Sequence, residues 1–142
     1  MAEHRVTFEV TASPHDVFAF VSDLANLPDW DSSVRSATAA ADTGPALGRS
    51  FDVLVGFYGR ELETVCEIDR FDADTLVGWT ITGKANGSVR VTLRPTESGT
   101  EVDHHLRVNL TGLARLLDRG LGVALEGIGE NVERGLTRRF SS

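Results

Sequence analysis

His104 is the side chain best placed to move a proton near neutral pH from within an apolar surface. Val102, His104, Leu106 and Val108 alternate with Asp103, His105 and Arg107, so strand parity sends His104 inward and His105 to the opposite face. A neutral imidazole, with an ordinary pKa of about 6.5, can hydrogen-bond a ligand carbonyl or hydroxyl or serve as general acid and base. The competing reading is a core histidine bonded to a neighbouring side chain or to water. Acid–base catalysis also calls for a carboxylate on the same face, and the sequence assigns none. Asn131 is the second candidate. Helical spacing puts it near the centre of an apolar face beside Ala124 and Gly135, and an amide is costly to bury unpaired, so it needs the sheet, water or a ligand as partner.

Trp30, Phe57, Tyr58 and Trp79 are expected in the core or at a cavity rim, where aromatic walls suit flat apolar ligands. Tyr58 would offer a phenol from a loop. Other chemistries lack a pattern. The four histidines, at 4, 15, 104 and 105, and the single Cys66 do not form a metal-ligand spacing, and His104 and His105 diverge on a strand. No phosphate loop, dinucleotide fingerprint or nucleophile elbow occurs. Cys66, on an apolar strand face, reads as a small core residue rather than a nucleophile.

The elements that must carry these residues can be read from periodicity. Val6, Phe8 and Val10 alternate with Arg5, Thr7 and Glu9 as a first strand. Ser13-Pro14-His15-Asp16 starts a helix, with Ser13 as N-cap and Pro14 at the first helical position, and Val17, Phe20, Val21 and Leu24 give it an apolar face. A second short helical piece covers Asn26 to Trp30, and residues 38 to 48 read as a strand end and loop. From Arg49 to Leu110 the pattern is strands and hairpins: Phe51 to Phe57, a turn at Gly56-Phe57-Tyr58-Gly59, Leu62 to Ile68, Val77 to Ile81, a hairpin at Asn86-Gly87, Val89 to Leu93, a turn at Glu97-Ser98-Gly99, and Val102 to Leu110. The order is strand, two short helices, six strands, long helix.

Thr111 to Phe140 reads as that long amphipathic helix, with Leu113, Leu117, Leu121, Ala124, Ile128, Val132 and Gly135 on one face. About 28 helical residues would extend roughly 40 Å, enough to cross a curved antiparallel sheet. Its interior glycines at 120, 122, 127, 129 and 135 would cost on the order of 5 kcal/mol of helix propensity, which tertiary contacts must offset. Gly120, Gly127 and Gly135 fall on or beside the apolar face, where they admit close packing or leave open volume. Gly122 and Gly129 fall elsewhere.

Composition sets outer bounds. The 142 residues, 41% apolar and 25% charged, are expected to form one soluble domain spanning 1–142 with its own core. No run approaches the roughly 18 apolar residues of a membrane span, and no secretory leader is evident, so the cytoplasm is the expected location and no integral membrane association is expected. Fourteen Lys+Arg against 21 Asp+Glu give a net charge of −7, which disfavours nucleic acid and anionic surfaces. Arg134, Arg138 and Arg139 suit the negative end of the helix.

The order of elements, together with Ser13-Pro14-His15-Asp16-Val17-Phe18, Asp23 through Pro28-Asp29-Trp30, Gly78-Trp79, Gly99-Thr100-Glu101-Val102 and the terminal helix, resembles the START-like, or helix-grip, superfamily and its polyketide cyclase/dehydratase-like branch. The resemblance covers nearly the whole chain. It implies an α+β fold in which a seven-stranded curved antiparallel sheet wraps around the C-terminal helix, with a deep apolar cavity between them. It transfers no catalytic residue, since the superfamily spans lipid and hormone binders, aromatase/cyclases, quinone-binding factors and co-chaperone regulators.

The leading expectation is therefore binding or transport of a small hydrophobic or aromatic, lipid- or polyketide-like molecule. Trp30, Phe57, Tyr58, Trp79, His104, Leu117, Leu121, Ala124, Ile128 and Asn131 are expected to line the site, with no metal and no cofactor. A polyketide cyclase, aromatase or dehydratase using His104 is the second reading, and a partner-regulating protein the third. A second copy of the chain is an open alternative as partner; nucleic acid is not expected.

Overall fold

The computed structural model describes residues 2–40, 47–57, 59–110 and 118–140. The chain runs through β1 (Ala2–Val10), α1 (Pro14–Val21), a 3-10 turn (Leu24–Asn26), α2 (Leu27–Trp30), β2 (Val34–Ala39), β3 (Ser50–Phe57), β4 (Arg60–Asp72), β5 (Leu76–Gly83), β6 (Ala85–Pro95), β7 (Thr100–Leu110) and α3 (Asp118–Phe140). The strands among the described residues form one antiparallel sheet in the order β1-β7-β6-β5-β4-β3-β2. Register shifts between Val34 and Ser36 and between Ile68 and Arg70 bend the strands locally.

The local signals act as their chemistry dictates. Ser13 Oγ accepts from the Asp16 amide at 3.2 Å, Pro14 occupies the first turn, and Val17, Phe18 and Val21 are buried beneath α1. Along β4 the burial alternates, with Thr64, Cys66 and Ile68 inward and Glu63, Val65 and Glu67 outward, a sheet with one solvated face. The inner face carries Phe51, Val53, Trp79, Val91, Val102 and His104, and α3 packs chiefly along β1 with further contacts to α2 and β7.

The Asn86-Gly87 signal does not mark a hairpin. Both residues lie inside β6, paired with Asn109 and Val108, and the chain reverses at Gly83 and Lys84, where Gly83 has φ +116°. A Cβ on Gly87 would fall 2.0 Å from the Arg107 carbonyl oxygen, so this glycine permits close approach of β7. The turn at Glu97-Ser98-Gly99 is formed, with the Thr96 amide donating to Gly99 O at 2.9 Å. The turn between β3 and β4 also falls where expected, with Gly59 at φ +75°; Tyr58 lies outside the described residues.

The described helix glycines on the apolar face divide between the two expected roles, close packing at Gly135 and open space at Gly127. Gly135 abuts α2: a Cβ there would sit 2.5 Å from Trp30 O and 2.9 Å from Trp30 Cα. It is a close-packing residue and does not open a cavity. Gly129, assigned off the apolar face, is buried against His4, whose Cδ2 would lie 2.3 Å from an added Cβ. Only Gly127 among these three has nothing within 4 Å. Gly135→Ala is therefore expected to destabilise the fold by about 1–3 kcal/mol through overpacking against backbone that cannot yield. Gly127→Ala is expected to stabilise by about 0.5–1 kcal/mol through helix propensity. Urea unfolding of the two variants checks both signs.

Candidate functional site

A partly open cavity of about 80 Å³ lies between the inner face of the sheet and α3. Its walls come from strands distant in sequence: Val53 and Val55 of β3, Leu62 of β4, Trp79 and Ile81 of β5, Ala85 and Val89 of β6, and Leu106 and Val108 of β7, with Ile128 contributed by α3. Alternation along each strand delivers every second side chain to this face. Five polar residues interrupt the apolar wall, namely Asp31, Ser33, Thr64, Cys66 and His104.

His104 is 2% exposed, and its Nδ1 has no hydrogen-bond partner among the described residues. Burial, with His4 adding in the same direction, pushes its pKa down to about 4, so the imidazole is neutral at physiological pH. Its ring stacks edge-on against Trp30 at 6.0 Å between centroids, and Trp30 meets Trp79 in the same way at 6.5 Å. The adjacent residues on β7 serve the outer surface. Asp103 accepts from Arg5 Nε at 2.9 Å, and His105 Nε2 pairs with Glu3 at 3.2 Å.

Asp31 is the carboxylate that the sequence left unassigned. It ends α2 in an extended conformation, and its backbone carbonyl accepts from the Val34 amide at 3.0 Å as the chain turns into β2. Asp31 Oδ1 accepts from the Ser33 amide at 3.0 Å and from Ser33 Oγ at 2.6 Å, an Asx turn that fixes the carboxyl group. No donor among the described residues reaches Oδ2. Loss of hydration raises the Asp31 pKa against the lowering effect of the Ser33 bonds. Burial first, and the nearby Asp31 charge in addition, push the Cys66 thiol up to about 12, so Cys66 remains a protonated wall residue and not a nucleophile. Thr64 Oγ1 is committed to Val53 O at 2.7 Å.

Of the expected site residues, Trp79, His104 and Ile128 line the cavity. Trp30 stands behind the wall and supports Trp79 and His104. Asn131 departs from its expected position: it is half-buried, outside the cavity wall, and its Oδ1 accepts from Arg134 at 3.4 Å. The buried side of α3 centres on Val132 and Leu136, with Gly129 and Gly135 also buried, and Asn131 falls about 100° from the middle of that face. Tyr58 and Leu117 lie outside the described residues, as do the side chains of Phe57, Leu121 and Ala124. Sequence reasoning missed Asp31 and Ser33. The Asp31-Ser32-Ser33 spacing signals an Asx turn, but nothing local says that the turn faces inward.

A wider groove of about 910 Å³ runs over the outer face of β2 to β5, with Asp52, Glu63 and Lys84 along it; these charges are exposed and solvated. Among the described residues no three His, Cys, Asp or Glu side chains gather as a metal site, and no helix is long and apolar enough to cross a membrane.

An antiparallel seven-stranded sheet, two short helices after its first strand and a C-terminal helix laid across its inner face define the helix-grip architecture of START-like proteins. The chain belongs to the polyketide cyclase/dehydrase and lipid transport family, whose profile matches residues 1–139. Similar solved structures include a Thermus thermophilus protein, TTHA0849, at 22% identity and TM-score 0.79, with 96% of this chain and 95% of that one covered. A START superfamily protein from Mycobacterium smegmatis shares 17% identity at TM-score 0.72, covering 97% and 96%. The di-domain ARO/CYC StfQ of the steffimycin biosynthetic pathway shares 12% identity at TM-score 0.74, and the match covers 96% of this chain and 49% of that one. At these identities the likeness is one of fold. No curated protein matches the chain.

Proposed function

We propose that the protein binds a small, largely apolar molecule in the cavity between its sheet and α3. The observation that carries this reading is an apolar chamber lined by His104, whose buried Nδ1 has no partner among the described residues, with the half-buried Asp31 at its wall. An unpaired buried polar group such as the His104 imidazole costs about 1–3 kcal/mol, a cost that a bound ligand can offset. The chamber, at about 80 Å³, is smaller than the ~150 Å³ cavity that admits benzene, so even a single-ring ligand requires α3 to move away from the sheet.

Native mass spectrometry of freshly purified protein, compared with its denatured mass, is expected to reveal a bound apolar molecule, and the emptied protein is expected to take up a hydrophobic fluorescent dye. Ala85 faces the cavity from β6; Ala85→Leu is expected to fill it, abolishing dye uptake while the protein stays folded. Absence of both ligand and dye binding in repeated preparations would overturn the reading.

The cyclase or dehydratase reading gains one specific support, a carboxyl group held above its ordinary range inside the cavity. Against it, an imidazole with a pKa of about 4 is a weak base at neutral pH. The charges acting on His104 are those of His4, Asp103 and His105, whereas Asp31 acts on Cys66, so the two groups do not form a coupled pair. The partner-regulating reading has less support. The exposed large apolar residues among those described, Leu47, Val65 and Phe71, lie on a loop, mid-β4 and the end of β4, and Phe71 already packs edge-on against Phe18 at 5.0 Å.

A further inference from the structure

We propose that Asp31 sets the ligand selectivity of this cavity, pairing its free Oδ2 with the hydroxyl group of an uncharged apolar alcohol or phenol and turning away ligands that carry a carboxylate. The inference rests on the ligand-binding reading above and adds the chemical class of the ligand's polar end.

Four observations converge on it. The carboxyl group is held in place, since both Ser33 donors converge on Oδ1. Its other oxygen has no donor among the described residues and belongs to a residue of the cavity wall. No lysine or arginine occurs among the described lining residues, so nothing there neutralises Asp31 or would receive an anionic ligand. The remaining titratable neighbours in the wall, Cys66 and His104, carry no charge at neutral pH.

A hydroxyl group suits Asp31 in both of its protonation states. It donates to the carboxylate, and it accepts from the carboxylic acid that burial favours. A ligand carboxylate meets repulsion from the ionised form and finds no cation to replace its hydration. The selectivity thus comes from one repulsive element placed in an otherwise neutral wall.

Two probes with the same apolar part, phenol and benzoate, test this by calorimetric titration at neutral pH. In the unaltered protein the phenol is expected to bind at least about tenfold more tightly than the benzoate. Asp31→Asn keeps the acceptor used by Ser33 but removes the charge and adds a donor, so the benzoate should gain affinity and the gap should fall below about threefold. A melting curve close to that of the unaltered protein confirms that the variant is folded. Equal affinities in the unaltered protein, or a gap that survives Asp31→Asn, would overturn the proposal while leaving ligand binding intact. Failure to bind either probe or the hydrophobic dye would remove the ligand-binding reading and this proposal with it.

Discussion

Replacing Trp30 with alanine is expected to cost about 3–5 kcal/mol of stability, the range for emptying a buried tryptophan site. Trp30 is 2% exposed and stands where three parts of the fold meet. Its ring contacts Trp79 of β5 and His104 of β7, and its backbone receives the bare surface of Gly135 on α3. A loss of that size is a large fraction of the roughly 5–15 kcal/mol that holds a domain together. The indole Nε1 has no hydrogen-bond partner among the described residues, so Trp30→Phe gives up volume without leaving a new orphan and is expected to cost only about 1–2 kcal/mol. Urea midpoints for the two variants check this ordering. Equal losses would mean that the indole nitrogen, and not the packing, carries the contribution of Trp30.

Acid is expected to weaken the fold through His104 before the surface carboxylates take part. The folded-state pKa of about 4 lies below the ordinary 6.5, so the unfolded chain binds the proton more tightly. Stability is fully present above about pH 6.5, falls as the pH drops toward 4, and then levels off for this group. The difference corresponds to about 3 kcal/mol. Asp31 acts in the opposite sense. Its raised folded-state pKa penalises the fold at neutral pH, and the penalty is relieved as pH falls through that value toward the ordinary 3.8. Asp103, lowered by its hydrogen bond from Arg5, contributes stability that is lost only below its ordinary 3.8. Unfolding free energies measured from pH 7 to pH 4 should therefore fall in the unaltered protein, fall much less in His104→Gln, and fall more steeply in Asp31→Asn. An unchanged slope in His104→Gln would show that another group drives the acid response.

The physical range of each signal explains how much was legible. The Ser13 cap, the inward parity of His104 and the alternation of Thr64, Cys66 and Ile68 depend on residues within one turn or a few positions, and they stand in the structure as read. Asn86-Gly87 misled because a glycine that suits a tight turn also suits close strand approach, and only the Arg107 carbonyl on β7 distinguishes the two. Asn131 misled because the apolar face was centred on the sequence pattern, whereas burial against β1 and α2 rotates the centre toward Val132 and Leu136.

By itself the sequence determined the element order, the curved-sheet-and-helix class and the presence of His104 on the inner face, since hydrophobic period and capping chemistry are local. Tertiary structure alone decided that Asp31 turns into the same cavity as Cys66 and His104, and that Gly135 serves contact with Trp30 instead of open space. Those relations join positions far apart in the chain. They are set by strand pairing and by the seating of α3, which no local period encodes.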